Sequence, residues 1–101
     1  MIKITISEDA FIDLHDGFDF YEGQEIGLGD YFSSQIRADI DSLKITAGIH
    51  LQTHRSLYRM LSRRFPYAIF YRFNGDEVLV LAIVDCRRDP VWIEQHLSRI
   101  Q

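Results

Sequence analysis

The sequence has 101 residues, of which 47% are hydrophobic, and a net charge of −4. This length predicts one domain spanning residues 1–101, with a core that needs no disulfide, and the single cysteine could form none within the chain. The acidic balance argues against a general nucleic-acid binder, and no apolar run or signal-peptide pattern is present, so we expect a cytoplasmic protein without a membrane partner.

Charge is distributed unevenly along the chain. Residues 1–54 carry ten acidic side chains against three basic ones, a balance of −7. Residues 55–101 carry eight arginines and no lysine against five acidic side chains, a balance of +3. The two halves therefore predict two surfaces of different character. Solvated acidic helices are a sufficient explanation for the first half.

The chain begins with a strand and a helix. Residues 2–6 alternate apolar and polar side chains, which predicts a half-buried strand. Ser7 then stands where a helix N-cap belongs, and acidic residues follow in the first turn. Apolar side chains at helical spacing predict a helix over 8–24. Its expected buried residues are Ala10, Phe11, Leu14, Phe18 and Tyr21.

A second helix is predicted over 30–47 after a glycine-rich turn, and Gly48 is placed as the residue beyond its end, where a positive φ is needed. The two helices would form a hairpin. The expected buried residues of the second helix are Phe32, Ile36, Ile40 and Leu43.

The remaining chain reads as a loop at 49–56, strands at 57–64, 67–73 and 78–86, and a short helix at 91–100. Asn74-Gly75 predicts a type I′ hairpin turn between the last two strands. The apolar run 78–84 predicts a central strand covered on both faces. The sequence therefore predicts an α+β fold of order β-α-α-β-β-β-α, with a helical hairpin packed on a small antiparallel sheet.

Arginine dominates the predicted sheet. Guanidinium groups offer forked donors suited to phosphate or carboxylate, and the absence of lysine favours a binding face over simple edge protection. Arg59 and Arg63 would share one face of a strand, because alternate residues point the same way. The arginines in question are Arg55, Arg59, Arg63, Arg64, Arg72, Arg87 and Arg88.

Other reactive residue types give weaker signals. His50 and His54 are four residues apart, but they fall in a predicted loop without a metal-binding pattern, so we expect no metal and no cofactor. Cys86 is interpreted as a small core residue. Asp39 and Asp41 are not helical neighbours and are expected outside apolar surroundings. No glycine-rich phosphate loop, Ser-His-Asp arrangement or Rossmann fingerprint is visible, so the signals for an enzyme are weak.

Residues 58–90, YRMLSRRFPYAIFYRFNGDEVLVLAIVDCRRDP, resemble the RelE/ParE toxin family of bacterial type II toxin–antitoxin systems, which includes plasmid stabilisation proteins. The likeness lies in the Tyr-Arg strand, the Pro-Tyr-Ala-Ile-Phe-Tyr-Arg strand, the tight turn, the apolar strand and the Arg-Arg-Asp-Pro exit. It implies a helical hairpin on a small antiparallel sheet, the topology read from periodicity.

The resemblance implies different activities for the two branches of the family. RelE-type members cut mRNA in the ribosome with basic residues of the sheet and a tyrosine in the last helix. Arg88 falls where one of those arginines belongs, but Ala68 and Glu94 fall where a second arginine and the tyrosine are expected. These departures place the chain nearer ParE-like members, which bind DNA gyrase.

The resemblance thus implies a toxin that binds a target protein such as DNA gyrase and is neutralised by a cognate antitoxin. The alternatives are a ribosome-dependent mRNA endoribonuclease, with Arg59, Arg63, Arg64 and Arg88 as catalysts, or an inactive toxin fold that only binds. The predicted antitoxin- or target-binding residues are Arg59, Arg63, Arg64, Arg72, Arg87, Arg88 and Trp92.

Overall fold

A computed structural model describes residues 1–53 and 55–100. Its helices are α1 (Glu8–Gln24), α2 (Leu28–Asp41), α3 (Leu43–Thr46) and α4 (Pro90–Ile100). Its strands are β1 (Lys3–Ile6), β2 (Leu51–Gln52), β3 (Tyr58–Leu61), β4 (Tyr67–Phe73) and β5 (Glu77–Asp85). No helix within these ranges is long and apolar enough to cross a membrane.

The strands form one sheet in the order β1-β5-β4-β3-β2. The predicted α+β class and the helical hairpin on the sheet are confirmed, with two differences. β1 runs parallel to β5, so the sheet is mixed. Only strands joined by tight turns are forced to be antiparallel, and β1 is joined to β5 by most of the chain. A two-residue strand, β2, also lies in the segment predicted as a loop.

The first helix begins and ends as predicted, and the second does not. Ser7 caps α1 by accepting a hydrogen bond from the Ala10 N–H (3.1 Å). The Glu22 carboxylate accepts from the N–H groups of Gly27 and Gly29 (2.9–3.1 Å), which favours an earlier start of α2 at Leu28. The predicted second helix also divides at Ser42, whose hydroxyl donates back to the Asp39 carbonyl.

Two predicted glycine positions are confirmed, but one turn type is wrong. Gly48 and Gly75 have φ values of 91° and 101°. Asn74 is not left-handed, so the turn between β4 and β5 is not type I′. Instead the Asn74 side chain accepts hydrogen bonds from the N–H groups of Asp76 and Glu77 (2.9 and 2.8 Å).

The sheet separates two apolar cores. The helical hairpin covers one face, where rings of Tyr21, Phe32, Phe65 and Tyr67 pack together. α4 covers part of the other face with Leu97. β5 contributes buried residues to both cores, which confirms its prediction as a strand covered on two sides.

Some predicted core residues lie at the surface. Phe11 is 44% exposed, with the Arg37 guanidinium 5.9 Å from its ring centre. Phe18 is only half-buried. Cys86 is exposed, so its interpretation as a core residue is wrong. It lies one residue beyond the end of β5, after the last position that the sheet encloses.

Candidate functional site

The predicted binding arginines lie in three separate places. Arg59 and Arg72 lie on the face of the sheet that α4 partly covers, because their partners in register, Phe70 and Leu79, belong to the core on that face. Two exposed leucines belong to the same face, since Leu51 lies opposite Arg59 and Leu61 opposite Ala68. We call this set the arginine face: Leu51, Arg59, Leu61 and Arg72.

Arg63 and Arg64 form a second group in the loop between β3 and β4. β3 ends at Leu61, so Arg63 does not share a strand face with Arg59 as predicted. Both side chains are exposed. The loop is held from beneath by Asp39, whose Oδ2 accepts hydrogen bonds from Ser62 Oγ (2.7 Å) and the Arg63 N–H (3.4 Å).

The third group follows β5. Arg87 donates to both oxygens of the Asp85 carboxylate (3.0 and 2.9 Å) and to the Tyr21 hydroxyl (3.3 Å). Burial raises the pKa of Asp85, but the hydrogen bonds and charge of Arg87 outweigh it and hold this pKa below its ordinary value. Arg87 is therefore tied to its own chain.

Arg88 and Trp92 are the two predicted residues that the fold brings into direct contact. The Arg88 guanidinium lies 3.9 Å from the centre of the Trp92 ring. Trp92 also stacks on His96, with ring centres 4.8 Å apart and an angle of 10° between the ring planes. A cation–π contact of this kind fixes the arginine while its edge still offers hydrogen-bond donors.

His96 belongs to a buried polar chain that the sequence did not reveal. Its Nε2 lies 3.0 Å from Asp13 Oδ1, and both side chains are only 9% exposed. Arg99 donates to His96 Nδ1 (2.9 Å), which leaves Nε2 as the donor to Asp13 when the ring is neutral. Burial raises the pKa of Asp13, although the Ile83 N–H and His96 oppose this. The sequence analysis did not single out this His96–Asp13 pair.

These groups line a cleft of about 470 Å³ between α1, α4 and the end of β5. Burial, with the nearby Asp85 charge, raises the pKa of Tyr67 to about 12, so its hydroxyl stays a neutral donor in the cleft wall. His96 has both ring nitrogens engaged, so proton transfer to a ligand would first require release of Arg99. The cleft can bind a small polar group through Arg88, Tyr67 and Arg99.

Ala68 and Glu94, the two positions that depart from the RelE pattern, are not among the residues that line this cleft. Ala68 is 2% exposed and lies in the core beneath α4. Glu94 accepts a hydrogen bond from Arg55 Nε (3.0 Å). Neither residue supplies a proton donor or a positive charge for RNA cleavage.

The remaining histidine signal has a structural explanation. Nδ1 of His50 is hydrogen-bonded to the buried Tyr71 hydroxyl (2.5 Å), and burial lowers the pKa of His50. His54 lies outside the described residues. Within the described part of the chain, no group of three or more histidine, cysteine or acidic side chains could hold a metal ion.

No protein-family model matches the sequence, and no curated protein does so either. Solved structures do match. A chain described as "Chromosomal ParDE TA system from P. aeruginosa" has a TM-score of 0.74 at 20% identity, over 84% of this chain and 96% of that one. The isolated E. coli RelE toxin has a TM-score of 0.60 at 17% identity, over 98% of both chains.

The chain therefore has the RelE/ParE toxin fold, and the resemblance recognised in residues 58–90 is confirmed as a likeness of fold. Of these two structures, the ParDE chain has the higher TM-score, over a smaller share of this chain.

Proposed function

We propose that this chain is the toxin of a type II toxin–antitoxin system, that it acts by binding a target protein such as DNA gyrase, and that a cognate antitoxin neutralises it. The observation that carries the proposal is the arginine face. Arg59 and Arg72 lie on the same face as Leu51 and Leu61, which are 70% and 55% exposed. Arginines beside exposed apolar side chains are typical of protein interfaces.

The antitoxin is expected to bring acidic groups to this face. A flexible tail that orders on binding would place carboxylates against Arg59 and Arg72 and apolar side chains over the two leucines. Arg63, Arg64, Arg88 and Trp92 are proposed to extend the contact around the rim of the sheet, while the tied Arg87 contributes less.

Toxicity and rescue test the proposal. Induced expression of the chain in a bacterial host should arrest growth, and co-expression of a short reading frame adjacent to its gene should restore growth. Purified protein should then inhibit DNA supercoiling by gyrase without affecting translation. Normal growth on induction would instead support the inactive toxin fold.

Charge reversal tests the binding face. Arg59→Glu with Arg72→Glu should weaken antitoxin binding by about a hundredfold, roughly tenfold for each reversed charge. Arg37→Glu is the matched control, because Arg37 is an exposed arginine on α2, away from the sheet. Equal losses in both variants, or none in either, would rule out the arginine face.

The endoribonuclease is a second candidate, favoured by the cleft. Arg88, Asp13 and His96 share one cavity, whereas Arg59, Arg63 and Arg64 lie elsewhere. A purified translation system should show codon-positioned mRNA cleavage if this candidate is correct, and Arg88→Ala and His96→Ala should remove it. Intact mRNA at growth-arresting concentrations would exclude it.

A further inference from the structure

Asp39 is a buried carboxylate without a cationic partner. It is only 5% exposed, less than any other charged residue in the described part of the chain. None of the ion pairs found there, out to 4.0 Å, includes it. Both of its hydrogen bonds from loop 62–66 go to Oδ2, and no hydrogen bond reaches Oδ1 from the described residues. One carboxylate oxygen therefore has no protein donor.

This carboxylate lines an open pocket. The pocket lies between α2 and β3, with a volume of about 430 Å³. Ala38 and Met60 supply its apolar wall, and Arg63 and Arg64 stand at its edge. Every buried side-chain oxygen and nitrogen among the described residues has a hydrogen-bond partner, so Oδ1, which has none, is not enclosed and can be reached through the pocket. A positively charged occupant could therefore make a charge-assisted contact with it.

We propose that this pocket receives a lysine or arginine side chain from a partner protein, whose charged end binds Asp39 and whose acidic neighbours pair with Arg63 and Arg64. The apolar wall suits the methylene stem of such a side chain. The two arginines at the edge favour acidic residues on both sides of the inserted cation. The recognised segment therefore has the pattern acidic–apolar–basic–apolar–acidic.

This inference rests on the proposed function in one respect, namely that the partner is the antitoxin. It changes the expected chemistry of that partner, since a purely acidic tail would bring no positive charge to Asp39. A basic residue at the centre of the segment would also fix its register on the toxin, because only one position of the segment can enter the pocket.

Two blocked pentapeptides test the pocket directly. Both carry glutamates at the ends and leucines inside them, and the central residue is lysine in one and norleucine in the other. Titration of the full chain, followed by amide NMR shifts, should give an affinity about tenfold higher for the lysine peptide, the size expected of a charge-assisted contact. The Ser62 and Arg63 amides should shift most.

Asp39→Asn should reduce this preference to about onefold. Asp41→Asn is the matched control, because it removes the same charge from the same helix at an exposed site paired with Lys44, and the preference should persist. Equal affinities of the two peptides for the unmodified chain would overturn the proposal, and that measurement needs no variant to fold. A preference that survives Asp39→Asn would also overturn it. Because the titration does not measure toxicity, its failure leaves the growth and rescue result untouched.

Discussion

The two faces of the sheet are built differently. Against the helical hairpin the core contains a cluster of aromatic rings, with Phe32 at 0% exposure among the rings of Tyr21, Phe65 and Tyr67. Against α4 the core is smaller and has no such ring cluster, with Phe70 as its buried aromatic residue. Polar contacts that include Asp13–His96, Arg55–Glu94 and Arg55–Ser98 connect α4 to the rest of the chain. The difference indicates that the hairpin face determines the stability of the fold, while the α4 face leaves surface open for a partner.

The largest expected effect is on the hairpin face. Phe32→Ala should lower the free energy of unfolding by about 3–5 kcal/mol, because it removes a ring enclosed by three others. Urea unfolding followed by circular dichroism would measure this. Phe20→Ala is the control, since Phe20 is half exposed and its loss should cost less than about 1 kcal/mol. Similar losses of unfolding free energy in the two variants would contradict the larger role of the buried ring cluster.

The corresponding substitution on the other face should cost less and act locally. Leu97→Ala should lower the free energy of unfolding by about 2–3 kcal/mol, because α4 loses its one buried side chain. Hydrogen exchange should show faster exchange in 90–100, with α1 and β4 unchanged. Faster exchange throughout the chain would mean that the two faces unfold together.

Two glycines of α1 should respond with opposite signs to alanine. A Cβ at Gly17 would meet the Phe32 ring at 2.5 Å, so Gly17→Ala should destabilise the fold by about 1–3 kcal/mol. A Cβ at Gly23 has no atom within 4 Å, so Gly23→Ala should stabilise it by up to about 1 kcal/mol. Thermal unfolding of both variants checks the signs, and equal shifts would contradict close packing at Gly17.

The smallest effects depend on pH. The pKa of Asp85 lies below its ordinary value of 3.8, so its contribution to stability is present above pH 3.8 and is lost as pH falls through its folded-state pKa. Asp85→Asn should therefore cost about 0.5–1 kcal/mol at neutral pH and less in acid.

The pKa of Asp13 is raised, so its effect on stability runs in the opposite direction with pH. The contribution of Asp13 to stability is present at low pH and falls as pH rises above 3.8. The stability difference between the native chain and Asp13→Asn should therefore shrink over that range. Urea titrations from acid to neutral pH would compare the two variants, and parallel profiles would contradict the opposite shifts.

Local patterns were sufficient for most elements but not for residues that meet across the fold. Alternation and helical spacing predicted α1 and β4 with the observed bounds. Asp13 and His96 are 83 positions apart, and no local pattern indicates that α1 and α4 meet over β5. Asp39 was likewise predicted to lie outside apolar surroundings, and this prediction is wrong. Its burial depends on loop 62–66 folding over it, which no pattern within α2 indicates.

The parallel pairing of β1 with β5 joins residues 3–6 to residues 77–80. During synthesis β1 therefore has no partner strand until residues 77–80 have been made. Pairing between such distant segments closes a long loop and slows folding. The sheet of the newly made polypeptide thus stays incomplete until β5 has been synthesised and has paired with β1.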